Sequence, residues 1–181
     1  STVLNGDYEG KFYTFRVNDG EWLDEVPGIY ARCVGVNGLR GQIYNPNTTN
    51  PEGWLEDNGP RLSSFTDAVI YETHVRDFSI DPNSGITNKG KYLGFTEEGT
   101  TAPTGVKTGI DHLVELGITH VHLLPVNDFV SIDEEKPLEK YNWGYDPFHY
   151  GVPEGSYSTD PDGHLPLAYR WTQTAGPPVT F

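Results

Sequence analysis

The sequence predicts an α/β chain that opens on antiparallel strands and continues into one strand–helix–strand unit, and three observations predict it. Residues 11–17 (Lys-Phe-Tyr-Thr-Phe-Arg-Val) and 28–36 (Gly-Ile-Tyr-Ala-Arg-Cys-Val-Gly-Val) alternate on either side of a Gly/Asp/Pro-containing stretch, as paired antiparallel strands do. Residues 44–61 then lose all periodicity in a polar, Asn- and Pro-rich run, which marks a linker and a domain boundary. Beyond it, residues 68–125 read as strand, helix and apolar strand in turn.

The first strand after the linker is expected from 68 to about 75, with Ile70, Glu72 and His74 on one face and Val69, Tyr71 and Thr73 on the other. Glu72 and His74 suggest an acid/base pair, but two polar groups on the inner face of a strand are more often a satisfied buried contact. Residues 82–105 form a Gly/Thr-rich insertion with no strong period. From 106 to 116, Ile110, Leu113, Val114 and then Gly117 fall at helical spacing, with Gly117 where a helix stop is expected. Residues 118–125 are apolar apart from His120 and His122 and predict a strand buried on both faces, completing a right-handed βαβ unit. The two histidines have His-x-His spacing but no third ligand in sequence, so zinc is not expected. Asp128, Asp133, Glu134 and Glu135 read as an acidic solvated loop, because Ca²⁺ needs about six to eight converging oxygens.

Charge narrows the function. With 26 acidic against 12 basic residues and a net charge of −14, no basic stripe exists to displace the counterions of a nucleic acid. No stretch approaches the ~20 apolar residues of a membrane span, and no signal peptide is visible, so neither a nucleic acid nor a membrane is an expected partner. The compartment is not fixed by these features. The single cysteine, Cys33, has no partner for an intramolecular disulfide and lies among apolar neighbours, which predicts a buried structural thiol. No phosphate-cradling glycine loop, nucleophilic serine elbow or reactive cysteine is present, and no cofactor is expected. The chain starts at Ser1 and contains no Met, as an internal piece or processed product would.

The densest local signal is Tyr141-Asn142-Trp143-Gly144-Tyr145-Asp146-Pro147, three aromatics, an amide and a carboxylate around one glycine. Pyranose C–H faces lie against flat rings while short polar side chains bond the hydroxyls, so the run fits a sugar cleft. A compact aromatic loop packed under a rim fits the same residues.

This heptapeptide resembles the signature of type I pullulanases, starch-debranching enzymes of the α-amylase clan. Ala68-Val69-Ile70-Tyr71-Glu72-Thr73-His74-Val75-Arg76-Asp77-Phe78-Ser79 resembles that family's first barrel strand, and Gly117-Ile118-Thr119-His120-Val121-His122-Leu123-Leu124-Pro125-Val126 its second. The resemblance implies the end of a β-sandwich module at 1–45, a linker at 46–66 and the start of a (β/α)₈ TIM barrel at 67–162. A complete barrel takes about 250 residues, so only the first βαβ portion of an incomplete barrel is expected. Residues 163–181 depart from the family pattern, with three prolines and no helical period.

The resemblance implies an α-glucan debranching glycoside hydrolase that cleaves α-1,6 bonds with retention, acting on pullulan and branched starch or glycogen oligosaccharides. Within it Tyr145 would be the platform under the sugar whose bond is cleaved, with Asp146 bonding nearby and Trp143 and Asn142 shaping the subsite. The family's catalytic carboxylates lie on later strands, and their motifs are absent here, so no residue of this chain is expected to be catalytic and the chain alone is expected to be inactive. Two alternatives remain: a non-catalytic glucan-binding polypeptide, and a parent of isoamylase or branching-enzyme type.

Overall fold

A computed structural model describes residues 3–19, 21–50, 53–57, 62–137 and 139–159. The expected divergent tail at 163–181 lies outside the described residues. Packing divides the chain into two units that do not follow chain order. One combines the described residues of Ser1–Thr49 with Asn127–Ser156, and the other combines those of Asn50–Val126 with Tyr157–Thr159.

In the first unit, β1 (Phe12–Tyr13) pairs antiparallel with β4 (Gly41–Gln42), and β2 (Phe15–Asp19) with β3 (Glu21–Val26). The second strand expected at 28–36 does not form. β2 takes its partner from the stretch read as a turn, and residues 28–36 keep one bridge, Val34 to Gly41. The segment packs without alternating: Ala31, Cys33 and Val34 are buried, Ile29 and Tyr30 are exposed, and Ala31 and Val34 pack with Val152. Cys33 is buried as expected, its Sγ 3.2 Å from Gln42 Oε1.

A hairpin that sequence periodicity does not reveal completes this unit. β7 (Asn127–Phe129) pairs antiparallel with β8 (Pro147–Pro153), with register shifts on both sides of Asp128. Three residues are too few to show a period of two, and an irregular register hides what remains.

In the second unit, β5 (Ile70–Thr73) and β6 (His120–Leu123) pair in parallel, Ile70 opposite His120 and Thr73 opposite Leu123. The connection contains α1 (Val75–Ser79) and α2 (Gly109–Glu115), so the expected strand–helix–strand order holds. α2 stops where expected, the Gly117 N–H donating to the Val114 carbonyl at 3.0 Å and the Ile118 N–H to the Leu113 carbonyl at 3.1 Å. The expected burial of β6 on both faces does not hold: its residues are half-buried, and His122 is exposed. An apolar run is buried only where neighbours cover it, and this sheet has two strands among the described residues.

The aperiodic 82–105 segment supplies much of the unit's core. A 3₁₀ turn at Tyr92–Thr96 buries Tyr92 and Phe95, and Phe95 stacks on Phe78 at 3.9 Å between centroids; Val75, Ile86 and Leu113 are buried in the same unit. Glu97 closes the segment by accepting the Thr87 and Asn88 N–H groups, each at 2.7 Å, and the Asn88 amide at 2.8 Å.

Candidate functional site

The heptapeptide forms the approach to β8, where the chain returns from the loop that left β7. Its polar side chains close a ring with Ser131, on the outgoing side of the same loop. The Asn142 amide donates to Asp146 Oδ1 at 2.8 Å and to Ser131 Oγ, and Ser131 Oγ donates to Asp146 Oδ2 at 2.7 Å. Asn142 Oδ1 accepts the Gly144 N–H at 2.7 Å. Gly144 has a φ of 86°, a left-handed conformation that side chains resist, and it turns the backbone so that Trp143 and Tyr145 flank it.

The result is a pinned loop with exposed rings. Tyr145 is 71% exposed and Trp143 59%, while Tyr141 meets Trp143 edge-to-face at 5.0 Å. Rings so exposed contribute little to a core, which weighs against the packed-loop reading of these two residues. Asp146 uses one lone pair on each oxygen for Asn142 and Ser131, leaving further acceptor capacity for a hydroxyl. Ser131 was not singled out by sequence; only the fold brings it to Asn142 and Asp146.

The other sequence candidates fall differently. Glu72 and His74 do not meet as a buried pair, because the backbone turns from strand to helix between them. His74 becomes the N-cap of α1: its Nδ1 accepts the Arg76 N–H at 3.1 Å and its Nε2 lies 3.0 Å from the Tyr157 hydroxyl. Glu72 instead pairs with His122 at 3.3 Å across the β5–β6 ladder, both side chains largely exposed. His120 Nδ1 lies 2.8 Å from Thr119 Oγ1, and among the described residues neither histidine belongs to a cluster of three or more side chains placed to hold a metal.

The acidic loop divides in two. Asp133 and Glu135 are exposed as expected, whereas Asp128 and Glu134 are buried at 1% and 3% exposure and meet Glu154, at 0%. Register and hydrogen bonds bury them: Asp128 faces inward from β7, the Asn37 N–H holds Glu134 Oε2 at 2.6 Å, and the Phe129 N–H holds Glu154 Oε2 at 3.0 Å. Burial, with the neighbouring charges of Glu134 and Glu154, pushes Asp128 up to about 8. Burial likewise raises Glu134 to about 7 and raises Glu154. Ligand atoms of the three lie within 4.8 Å of one another, near the carboxyl spacing of about 5 Å used by retaining glycosidases. Groups this deeply buried are nevertheless out of reach of a pyranose.

No family model matches the chain. The pullulanase of Bacillus subtilis (strain 168) is 49% identical over 162 residues, which cover 89% of this chain and 22% of that protein. A crystal structure of pullulanase from Paenibacillus barengoltzii, in complex with maltohexaose and α-cyclodextrin, superposes with a TM-score of 0.83 at 55% identity, covering 91% of this chain and 26% of that one. The chain matches one region of the pullulanases. A pullulanase from Anoxybacillus sp. LM18-11, complexed with maltotriose, agrees with a TM-score of 0.82 at 46% identity over 91% of this chain and 23% of that one. The chain thus spans about a quarter or less of the length of these pullulanases.

Proposed function

We propose that this chain is the N-terminal part of the catalytic region of a pullulanase-type α-glucan debranching hydrolase that cleaves α-1,6 bonds with retention. The observation that carries the reading is the pair of exposed rings, Trp143 and Tyr145, fixed by the Asn142–Asp146–Ser131 ring of hydrogen bonds within a chain 49% identical to a pullulanase. Tyr145 is the platform for a glucose ring, Asp146 accepts a hydroxyl, Trp143 walls the subsite, and Asn142 holds the loop in shape. Relatives captured with maltohexaose and maltotriose support an α-glucan as the ligand, with pullulan and branched starch or glycogen oligosaccharides as substrates.

In this reading residues 1–45 end a β-sandwich module, 46–66 link it onward, and 67–162 begin a (β/α)₈ barrel. Retention requires a nucleophilic carboxylate and an acid/base carboxyl facing one bond. The motifs that carry these groups in the resembled family are absent from the sequence, and the chain alone is therefore inactive.

The test compares release of reducing ends from pullulan by the 181-residue chain and by a full-length protein that contains it. Activity in the full-length protein and none in the chain is the expected result. A full-length protein that binds maltohexaose without cleaving pullulan supports instead a non-catalytic glucan-binding polypeptide, the reading that the missing motifs favour for the isolated chain. Cleavage of glycogen branches but not pullulan points to an isoamylase-type parent.

A further inference from the structure

We propose that the cleft between residues 32–34 and the end of β8 is a second sugar site, which takes one hexose unit and is built from residues other than Trp143 and Tyr145. Its ligand class rests on the α-glucan reading above. The cleft holds about 180 Å³. Cys33, Val34 and Val152 are buried and make its floor, while Arg32 is exposed, Tyr44 and Thr49 are half-buried, and these three make its rim. An apolar floor under a polar rim matches a pyranose, which has a C–H face and a girdle of hydroxyls. Pockets for drug-sized ligands run to about 300–1,000 Å³, so this one suits a single ring.

The irregular register of β8 shapes one wall. Asn127 pairs with Pro153 but the next residue, Asp128, pairs with His149, so residues 150–152 bulge out of the ladder. Within that bulge Gly151 has a φ of 76°, and its N–H donates to Asn127 Oδ1 at 3.0 Å. A Cβ at Gly151 would stand 3.5 Å from Arg32 Nη1, so the guanidinium lies over backbone that carries no side chain.

The rim has hydrogen-bonding groups to spare. In a chain with 26 acidic side chains for 12 basic ones, Arg32 has no ion-pair, hydrogen-bond or ring partner among the described residues. The Tyr44 hydroxyl likewise has none there. The Thr49 hydroxyl donates to the Pro46 carbonyl at 2.8 Å and keeps its lone pairs. A guanidinium fork donates to two neighbouring hydroxyls at once, and the Tyr44 and Thr49 oxygens accept from others. The lining contains one cation, and a net charge of −14 works against the approach of an anion, so a neutral polyhydroxylated ligand is the better match.

The test titrates the ¹⁵N-labelled chain with maltotriose and follows it by NMR, reading the Gly151 amide and Arg32 Nε–H for this cleft and the Gly144 amide for the heptapeptide. Saturable shifts at Gly151 and Arg32 are expected, on a curve separate from that at Gly144. Arg32→Ala should weaken the Gly151 response about tenfold and leave Gly144 unchanged, with the other resonances in place as a check on folding. Tyr145→Ala should do the reverse. A response at Gly144 with none at Gly151 overturns the second site and leaves the α-glucan reading standing, whereas no response at either position counts against both. Shifts at Gly151 that persist undiminished in Arg32→Ala, or that inorganic phosphate produces and maltotriose does not, overturn the site as well.

Discussion

His74 Nε2 lies 3.0 Å from the hydroxyl of Tyr157, tying the first turn of α1 to a residue 83 positions further along the chain. Because His74 Nδ1 accepts the Arg76 N–H, the neutral ring carries its proton on Nε2 and donates to the tyrosine oxygen. One buried side chain therefore caps a helix and satisfies a distant phenol.

His74→Ala should destabilise the chain by about 1–3 kcal/mol through the lost cap and the hydrogen bond taken from a buried hydroxyl. Glu72→Ala and His122→Ala, which dissolve a surface pair only, should each cost less than about 1 kcal/mol. Urea denaturation of the three variants checks the ranking.

Tyr145→Ala should leave stability within about 0.5 kcal/mol, because the ring is 71% exposed, yet lower pullulan hydrolysis by a full-length protein at least tenfold. Melting temperature and initial rate, measured on the same preparation, separate the two. Unchanged activity would remove Tyr145 from the proposed subsite.

Ser131→Ala takes one donor and one acceptor from the ring that joins Asn142 to Asp146. The expected result is a loss of about 0.5–1.5 kcal/mol in stability and weaker maltotriose binding although Ser131 itself presents no ring to sugar. A double-mutant cycle with Asp146→Ala should show coupling between the positions, and additivity would deny it.

Glu97 gives a pH signature. Partial burial pushes its carboxyl up, but the N–H groups of Thr87 and Asn88 outweigh that and hold it below its ordinary value of 4.5. A carboxyl lowered on folding adds stability above its unfolded pKa, and that stability disappears as pH falls through the folded pKa. Glu97→Gln should therefore lower Tm at pH 7, and the difference from the wild type should shrink as pH falls below the ordinary value of 4.5. A constant difference across that range would contradict the account.

The β5–β6 sheet has two strands among the described residues, and Val69, just before β5, and Ile70, at its start, are 46% and 64% exposed. Open edges of this kind recruit further strands, so the chain should self-associate as its concentration rises. Sedimentation velocity over a hundredfold range checks this, and a monodisperse monomer throughout would refute it.

Periodicity exposed some of this architecture and was blind to the rest for identifiable reasons. α2 and its stop at Gly117 were legible because Ile110, Leu113 and Val114 repeat at helical spacing, and β5 and β6 because apolar runs of four to eight residues carry their own signal. The apparent strand at 28–36 misled because the residue types alternate there while burial does not: Ile29 and Tyr30 are both exposed, and Cys33 and Val34 are both buried. Asp128, Glu134 and Glu154 gave no warning of burial, since a carboxylate carries no mark in sequence of the distant N–H groups that hold it, as Asn37 holds Glu134 and Phe129 holds Glu154. Trp143 and Tyr145 stood out by composition, but their support from Ser131 depends on a loop closing across fifteen positions.

The Asn37 side chain accepts the Glu134 N–H at 2.8 Å while its own N–H donates to the Glu134 carboxylate, a reciprocal clasp between residues 97 positions apart. A protease that cuts in the exposed stretch 53–57 would therefore sever the covalent chain without releasing what lies upstream: the two products should migrate as one particle on a native gel and part only in denaturant.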